Sequence, residues 1–498
     1  MYTWLMKIAH TVFREYDIRG IAGREFPPEE VAKYEQWYGK FPGVTLTEEV
    51  AVAIGQAYGT LIRRQGGKKV VVGYELRPFA EELKDAFIEG VRKSGCDVAS
   101  AGVALTPIIY FAVAFFDFDG GVNITGSHNV YFYNGFKLMK KGVWPLYGEE
   151  LQGMREMIEK EDFETGEGKY EEINIKESYE QYVTSHVKLA RKLKVVIDTG
   201  NGSAGLFAPD LFRKLGCEVV ELYTKPDALF PNHTPDPEAP QNMKDLMEKV
   251  KEADADLGIG FDADGDRAGF IDEQGNFISA DLMLLVFAKD ALSRNPGKKI
   301  LFDVKSTQLL EELIPQWGGV ALMHRTGHAP IKEALRKDKD IIFAGEVSGH
   351  FYFVEDYFKI DDGLFAAARA VELASRQDGP FSSLIEGFPK RVRTPELKLP
   401  CEDEEKKEVV EQIKMRMEKL YRVKLIDGVR FQVSETGWGL VRSSNTSPYL
   451  TVRVEGATEV EVLKIKNILA DELEQFPQVG DKLDRKNVTS LSGKLGWV

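Results

Sequence analysis

The chain has 498 residues, too long for one compact core, and its length corresponds to roughly three or four domains. Its net charge of −14 argues against nucleic acid as the main partner, and no stretch approaches the roughly 20 uninterrupted apolar residues of a membrane span. With three scattered cysteines and no apolar signal-peptide centre near the start, we expect a cytoplasmic protein without a membrane partner.

Three segments share one pattern, in which a basic start leads into a β-branched apolar run and then a turn. They are residues 68–73, 193–198 and 299–303, and a helix-like stretch from Glu81 to Lys93 follows the first. Buried strands of an α/β sheet have this composition. Because the segments are spaced about one domain apart, the sequence predicts three related α/β domains.

The region after about Phe388 has a different pattern. Helix-like stretches at 402–421 and 459–476 flank strand-like segments at 428–433 and 449–455, which predicts a C-terminal α+β domain. Residues 391–400, with two prolines, are interpreted as a linker. The predicted domains are residues 1–170, 171–275, 276–388 and 396–498, and each contains one polar loop of interest.

The loop from Asn123 to Asn129 combines small residues with a hydroxyl and an imidazole. Ser127 precedes His128, and Lys137 follows within a loop's reach. Such a hydroxyl can be a nucleophile or a phosphoryl carrier, while the histidine can move protons and the lysine can neutralise phosphate charge. An ordinary polar loop is the alternative, since a Ser-His pair alone is a weak signal.

Three aspartates alternate after the apolar segment that begins at Gly258. Asp262, Asp264 and Asp266 would repel one another unless they shared a hard divalent cation. Arg267 adds a fixed positive charge suited to a phosphate. A solvated acidic turn is one alternative, and an EF-hand is another, although an EF-hand needs glycine where this chain has Arg267.

Two later loops offer groups for a phosphorylated sugar. Gly345 to His350 supplies a carboxylate, a hydroxyl and an imidazole, which suit hydrogen bonds to sugar hydroxyls. Arg442 to Pro448 joins two strand-like segments and supplies an arginine, several hydroxyls and an amide, which suit a phosphate. Singly, the first is also compatible with a turn and the second with a hydrophilic hairpin loop.

Together and in this order, the loops resemble those of the α-D-phosphohexomutase superfamily, in particular its phosphomannomutase/phosphoglucomutase group. The family's phosphoserine loop reads Thr-Ala-Ser-His-Asn-Pro, and this chain has Thr-Gly-Ser-His-Asn-Val at 125–130. The family's metal loop matches 262–267. Its sugar loop, Gly-Glu-Met-Ser-Gly-His, matches 345–350 with Val347 for methionine, and its phosphate loop, Arg-x-Ser-Asn-Thr-x-Pro, matches 442–448.

The resemblance implies an α/β fold of three related domains with mixed sheets and a smaller C-terminal α+β domain around a central cleft. It also implies that Ser127 carries a phosphoryl group, with one Mg²⁺ held by Asp262, Asp264, Asp266 and a phosphoserine oxygen. The phosphoryl group passes to a hexose monophosphate, giving a hexose 1,6-bisphosphate that also serves as activator. The other phosphate then returns to Ser127, so that phosphate has moved between C1 and C6.

The resemblance further assigns roles to single residues. Arg19 and Arg267 would join Ser127 in catalysis, with general acid/base function near Lys137 and His128. Glu346 and Ser348 would recognise sugar hydroxyls. The other substrate-binding residues would be Tyr16, Lys305, Gly327, His328, His350, Arg442, Ser444, Asn445 and Thr446.

Besides Val347, the chain departs from the family pattern in three places. Gly126 replaces alanine, which we expect to loosen the serine loop slightly, and Val130 replaces proline, which removes a φ restraint. Extra sequence between Gly23 and Thr47 has no role that the sequence reveals.

Several rival functions stay open. A phosphoglucosamine mutase usually carries glutamine where this chain has Val347, which cannot hydrogen-bond an amino group. A non-catalytic sugar-phosphate-binding protein would not need the intact serine and aspartates. A metal-dependent phosphatase would pass the phosphoryl group to water. The sequence leaves the preferred hexose, the oligomeric state and the resting phosphorylation of Ser127 open.

Overall fold

The computed structural model of the protein describes residues 12–38, 40–355, 357–445, 447–489 and 491–492. The chain forms two compact units, and each is described by itself. Unit one takes in the described residues up to Ala280, together with Lys332–Lys339 and Ser348–Leu384. Unit two takes in Asp281–Ile331, Asp340–Val347 and the described residues from Ile385 onward.

The first sheet of unit one has seven strands, and its apolar centre is the predicted strand at 68–73. The strands are β1 (Ile18–Ile21), β2 (Lys69–Tyr74), β3 (Asp97–Val103), β4 (Gly120–Ile124), β5 (Tyr133–Lys140), β6 (Trp144–Pro145) and β7 (Tyr170–Glu172). Their order is β1-β5-β4-β2-β3-β7, with β6 on β5. The sheet is mixed, because β2 runs parallel to β3 and β4 while β5 runs antiparallel to β4.

The second sheet of unit one has five strands and is also mixed. They are β8 (Lys194–Asp198), β9 (Glu218–Leu222), β10 (Leu257–Phe261), β11 (Ala268–Ile271) and β12 (Phe277–Ile278), in the order β12-β11-β10-β8-β9. Strand β10 is buried throughout and runs parallel to β8 and antiparallel to β11. The aspartate loop follows β10 directly, as the serine loop follows β4.

The described residues form 14 α-helices. They are α1 (Pro28–Tyr38), α2 (Glu48–Arg64), α3 (Ala80–Lys93), α4 (Thr106–Phe115), α5 (Glu149–Glu159), α6 (Lys176–His186), α7 (Ala208–Leu215), α8 (Lys244–Ala253), α9 (Ala280–Arg294), α10 (Leu309–Gln316), α11 (His328–Lys337), α12 (Gly363–Ser375), α13 (Lys406–Leu420) and α14 (Glu459–Leu473). At the start of helix α2, the Thr47 side chain accepts from the Val50 amide, and two glutamates occupy the positive first turn.

Unit two contains three parallel strands, β13 (Lys299–Asp303), β14 (Val320–His324) and β15 (Ile341–Gly345), with β13 paired to both neighbours. The next strand along the chain, β16 (Phe351–Phe353), lies in unit one. The predicted strands at 193–198 and 299–303 correspond to β8 and β13.

The C-terminal part of unit two is an antiparallel sheet with α13 and α14. Its strands are β17 (Val392–Arg393), β18 (Leu397–Pro400), β19 (Arg422–Lys424), β20 (Val429–Gln432), β21 (Trp438–Ser443) and β22 (Tyr449–Gly456), while β23 (Lys482–Leu483) and β24 (Leu491–Ser492) pair with each other. The predicted linker at 391–400 is wrong, because β17 and β18 both pair with β22. Leu397 and Leu399 alternate inward, a strand pattern that the two prolines hid.

The predicted fold class is confirmed: mixed α/β sheets are followed by a small C-terminal α+β domain. In the part of the chain that the structure describes, no helix is long and apolar enough to cross a membrane.

Candidate active site

Ser127 lies in a buried loop just past β4. Its backbone φ of 51° is left-handed, a conformation that costs a residue with a Cβ about 1–2 kcal/mol. The Thr125 hydroxyl accepts from the Ser127 amide at 2.7 Å, and the Ser127 hydroxyl donates to Oδ2 of Asp262 at 3.3 Å. The loop therefore holds the serine hydroxyl against the aspartate loop of the same unit.

A buried ion pair that sequence reasoning missed supports this loop. Glu75 and Arg77 are fully buried, and their side chains meet at 2.6 Å. Glu75 Oε1 also accepts from the Gly126 amide at 2.7 Å and the Thr125 hydroxyl at 2.9 Å. Arg77 donates to four carbonyls of the loop and the stretch after it: those of Ser127, Asn129, Val130 and Tyr133. The pair's place just past β2, at the carboxyl end of a parallel strand, is the signal that could have revealed it.

Gly126 is packed too closely to act as a loosening residue. An ideal Cβ placed there would lie 2.5 Å from the Arg77 guanidinium carbon and 2.5 Å from the Tyr133 carbonyl oxygen. The expectation that glycine loosens the loop is therefore wrong in this chain. Glycine instead lets Arg77 and the Tyr133 backbone approach the loop closely.

We expect Gly126→Ala to destabilise the protein by about 1–3 kcal/mol, because the Tyr133 backbone has to move for the added methyl group. Denaturant unfolding of both proteins measures this difference. Gly153→Ala is the matched control: this exposed glycine lies within α5, and its Cβ would meet no atom within 4 Å. The control should be stabilising by up to about 1 kcal/mol. Equal stabilities for Gly126→Ala and the unchanged protein would contradict the packing argument.

The aspartate loop gathers three fully buried carboxylates. Asp262, Asp264 and Asp266 each offer an oxygen, and these oxygens lie within 4.8 Å of one another. Oδ1 of Asp264 and Oδ1 of Asp266 have no hydrogen-bond partner among the described residues. Because an unsatisfied buried carboxylate oxygen is costly and hard cations prefer oxygen ligands, the set fits one divalent cation.

The entry to the loop excludes an EF-hand. The loop leaves a strand, β10, where an EF-hand loop leaves a helix. The left-handed glycine of this loop is Gly265, with φ 73°, and Asp266 follows it directly.

Burial and like charge shape the titration of the three aspartates. Burial first, and then the charges of Asp264 and Asp266, raise the pKa of Asp262 well above its ordinary value. For Asp264, the same two effects are outweighed by the Lys137 ammonium and the Thr106 hydroxyl, and its pKa is lowered. Negative charge is therefore favoured on Asp264 and disfavoured on Asp262, the residue that contacts Ser127.

Lys137 on β5 is the nearest positive group to the triad. Its ammonium contacts Asp264 Oδ2 at 2.8 Å and also forms an ion pair with Asp266. Burial by itself lowers the pKa of Lys137, but the nearby aspartates outweigh burial and raise it above its usual range. The Lys137 side chain is therefore charged and lies directly beside the carboxylates of the aspartate loop.

The other predicted residues of unit one are Arg19, His128, Arg267, Tyr16, Ser348 and His350. Arg19 donates to the Gly126 carbonyl at 3.0 Å, and His128 Nδ1 lies 2.9 Å from Asp236 Oδ2. Arg267 donates from Nε to His350 Nε2 at 3.0 Å. Tyr16, whose ring centre lies 6.3 Å from that of Tyr147, and Ser348 are both buried in unit one.

A second buried charge pair adjoins His350 and was not predicted. Asp361 Oδ2 lies 3.4 Å from His350 Nδ1, and Asp361 Oδ1 accepts from Lys332 at 2.9 Å. Burial first, followed by the charges of Arg267 and Lys137, holds the pKa of His350 well below its ordinary value. These effects favour the neutral ring of His350, whose Nε2 accepts from Arg267.

The other predicted residues form a separate group in unit two. Glu346 accepts from the Gly327 amide at 2.8 Å, and Lys305 pairs with Glu396 at 2.6 Å. Arg442 pairs with Asp427 at 2.9 Å, and Asp427 also accepts from the Thr326 amide at 3.1 Å. His328 begins α11, Ser444 is buried and Asn445 is half-buried. Thr446 lies outside the described residues.

Four domain models of one family match the chain in order. They are phosphoglucomutase/phosphomannomutase α/β/α domain I at residues 10–165, domain II at 176–275, domain III at 279–392 and the C-terminal domain at 396–472. The class that fold and site define is thus the α-D-phosphohexomutase superfamily, whose members are mutase enzymes that depend on a metal.

Individual relatives indicate which family within the superfamily the chain belongs to. The phosphomannomutase/phosphoglucomutase of Pseudomonas aeruginosa is 40% identical over 464 residues, which cover 93% of this chain and 95% of the relative. The phosphoglucomutase of Neisseria gonorrhoeae is 38% identical over 95% of this chain and 99% of the relative. A crystal structure of a family protein from Burkholderia thailandensis superposes with a TM-score of 0.85 at 37% identity, covering 95% of this chain and 99% of that one. The chain belongs to the phosphoglucomutase/phosphomannomutase family.

Proposed function

We propose that this enzyme interconverts the 1-phosphate and 6-phosphate of a hexose, with Ser127 as the phosphoryl carrier and a bound hexose 1,6-bisphosphate as intermediate. Relatives at about 40% identity over most of the chain are hexose phosphate mutases. The observation that carries the assignment of the carrier is the 3.3 Å contact between the Ser127 hydroxyl and Asp262 within the buried carboxylate triad.

The carboxylates of Asp262, Asp264 and Asp266, with an oxygen of the phosphorylated serine, would hold one Mg²⁺. When bound, the cation offsets the negative charge of the transferring phosphoryl group. Two partnerless buried oxygens in the triad support this ligand set.

The chain's own residues would then perform each part of the transfer. The left-handed backbone presents the Ser127 oxygen, and the free hydroxyl of the sugar forms a bond to phosphorus as the bond from phosphorus to the serine oxygen breaks. The sugar hydroxyl gives up its proton, and His128 would receive it. The Lys137 ammonium, charged beside the aspartates, would supply a proton to the departing serine oxygen. Arg19 and Arg267 would stabilise the charge on the phosphoryl oxygens. The reverse step, from the other end of the bisphosphate, restores the phosphoserine.

Residues of unit two would bind the part of the substrate that does not react. Arg442, Ser444, Asn445 and Thr446 are proposed to hold the second phosphate, because a guanidinium and several short polar groups suit it. Glu346 with Ser348 of unit one would recognise sugar hydroxyls. The remaining proposed contacts come from Tyr16, Lys305, Gly327, His328 and His350.

We propose glucose and mannose phosphates as the substrates. The names of the two relatives include these sugars. The buried side chain of Val347, within the sugar loop, has no group that could hydrogen-bond the amino group of glucosamine. This observation favours the neutral hexoses over glucosamine 1-phosphate.

A substrate panel tests the proposal. Purified protein with Mg²⁺ and a trace of hexose 1,6-bisphosphate should convert glucose and mannose 1-phosphates to the 6-phosphates, and glucosamine 1-phosphate much more slowly. Phosphorus NMR separates the possible products, so inorganic phosphate as the sole product would establish the phosphatase instead. Omitting the bisphosphate should slow the start of the reaction, because any serine that has lost its phosphoryl group needs it for recharging.

A further inference from the structure

The extra sequence between Gly23 and Thr47 is an excursion that leaves and rejoins the first sheet at one place. The Thr45 and Leu46 amides donate to the Ile21 carbonyl at 3.0 and 2.9 Å, and the Gly23 amide donates to the Leu46 carbonyl at 3.3 Å. Ala22 and Leu46 also form a parallel bridge. Both ends of the excursion are therefore fixed, and α1 lies between them.

The excursion packs against the stretch Val130–Tyr133. Tyr34 of α1 is buried, its ring meets the Phe132 ring edge-on with centroids 5.5 Å apart, and its hydroxyl oxygen lies 2.7 Å from that of Tyr133. Phe26 also contacts Phe132, at 5.3 Å between ring centres. Glu30 accepts from the Tyr131 hydroxyl, and the Ala22 amide donates to the Phe132 carbonyl at 3.0 Å.

Val130–Tyr133 is the stretch that closes the serine loop. The Asn129 amide donates back to the Gly126 carbonyl at 3.1 Å, and the Tyr133 amide donates to the Val130 carbonyl at 3.0 Å. Arg77 binds the carbonyls of Val130 and Tyr133 with the same Nη1 nitrogen, at 2.9 and 3.1 Å, while its Nη2 binds the Ser127 carbonyl at 2.5 Å. The position of Tyr133 is thus tied to that of Ser127 through one guanidinium.

Two departures in this chain belong to the same arrangement. Gly126 leaves room for Arg77 and the Tyr133 carbonyl, where a Cβ would lie 2.5 Å from each. Val130 lacks the ring that fixes φ in a proline, and Val130 itself packs in the aromatic cluster of Tyr34 and Phe132. The left-handed Ser127 needs external support, because the chain does not prefer that conformation.

We propose that residues 24–38 and 40–46 act as a buttress that holds the serine loop in its reactive conformation, with Tyr34 as a positioning residue acting through Tyr133 and Arg77. The buttress supplies by packing the restraint that a proline at 130 would supply covalently. This inference rests on the proposed role of Ser127, since it concerns how that hydroxyl is aimed.

Tyrosine-to-phenylalanine variants test whether the buttress positions the Ser127 hydroxyl, and they leave the fold intact. Tyr34→Phe, Tyr133→Phe and the double variant each remove the same hydroxyl contact. We expect each to lower kcat by about fivefold, the size of one hydrogen bond, with KM for the hexose phosphate and the thermal midpoint nearly unchanged. The double variant should be no slower than the singles. Tyr170→Phe, at an exposed tyrosine of β7, is the matched control and should keep full kcat.

Removal of the buttress is the stronger test. Replacing residues 25–43 with two glycines keeps the hydrogen bonds at both ends, and we expect kcat to fall by about a hundredfold because a small misplacement of a reacting group has that effect. Adding Val130→Pro to this variant should restore at least about tenfold of the loss, since proline lowers the freedom of the loop. The thermal midpoints of both deletion variants are measured beside kcat, and kcat is compared at a temperature where both variants are fully folded, so a gain in stability alone does not count as rescue.

Each outcome decides the proposal. Full kcat in Tyr34→Phe and Tyr133→Phe, or in a folded deletion variant, would overturn it. So would a failure of Val130→Pro to rescue the deletion while the same substitution is harmless in the full chain. If the deletion variant does not fold, or Val130→Pro itself inactivates the full chain, the tyrosine variants alone decide. Ser127→Ala separates the two levels: an active Ser127→Ala protein rejects the carrier, whereas an inactive one with unaffected tyrosine variants rejects only the buttress.

Discussion

Replacing Ser127 with alanine should lower mutase turnover by at least about a thousandfold, because the variant has no oxygen to carry the phosphoryl group. Alanine keeps the Cβ of serine, so the left-handed backbone is no more strained than before. The variant loses one hydrogen bond, to Asp262, and should fold with nearly the same thermal midpoint. A coupled assay for hexose 6-phosphate measures turnover, and intact-protein mass spectrometry measures phosphorylation by hexose 1,6-bisphosphate.

A matched serine separates loss of the carrier from loss of a hydroxyl in general. Ser185 is exposed on α6, where its hydroxyl donates to the Tyr182 carbonyl, and Ser185→Ala should keep full activity. The mass of the Ser127→Ala protein should not change on incubation with bisphosphate, while the Ser185→Ala protein should gain one phosphoryl group. Turnover in Ser127→Ala within tenfold of the original enzyme would refute the phosphoserine mechanism.

Removal of divalent metal should abolish turnover, and Mg²⁺ should restore it. Asp264→Asn should raise the Mg²⁺ concentration needed for half-maximal activity at least about a hundredfold, the upper end of what groups outside the ligand set contribute to metal affinity. The reason is local: Asp264 Oδ1 is buried without a hydrogen-bond partner among the described residues, and amide oxygen is a weaker ligand than carboxylate. Titration of activity with Mg²⁺ after chelation measures the change.

Asp254→Asn is the control for the metal experiment. Asp254 is exposed just past α8 in a left-handed conformation that asparagine tolerates, so its replacement should leave the Mg²⁺ requirement unchanged. A chelated enzyme that keeps turning over, or an Asp264→Asn enzyme with the original Mg²⁺ requirement, would remove the aspartate loop from the metal site.

The sequence was most informative about the buried strands and about the polar loops that follow directly after them. The β-branched runs predicted β2, β8 and β13, because burial of a strand on both faces leaves a continuous apolar signal. The aspartate loop could be predicted as a metal site, since like charges at alternating positions need a common partner. In the structure, each of the three carboxylates places an oxygen within 4.8 Å of the other two.

The support of the site could not be predicted in the same way. The position of Glu75 and Arg77 just past β2 could have marked them as candidates, but the four carbonyls that Arg77 binds lie about 50 positions away and nothing in the sequence marks them. Gly126 was misjudged because the crowding around it comes from Arg77 and Tyr133, which sequence alone does not bring near. The linker at 391–400 was misread because strand pairing with β22 is a long-range contact. Secondary-structure propensity depends on neighbours in sequence, so it contains no information about these long-range contacts.

The left-handed backbone at Ser127 also restricts which amino acid can supply the hydroxyl. Threonine offers the same functional group, but its branched Cβ makes a positive φ a genuine outlier. A tyrosine hydroxyl lies several ångströms farther from its own backbone than a serine hydroxyl does, so it would not meet Asp262 where the Ser127 hydroxyl does. Of the three amino acids with a hydroxyl group, serine is therefore the one that suits both the backbone conformation and the chemistry of this position.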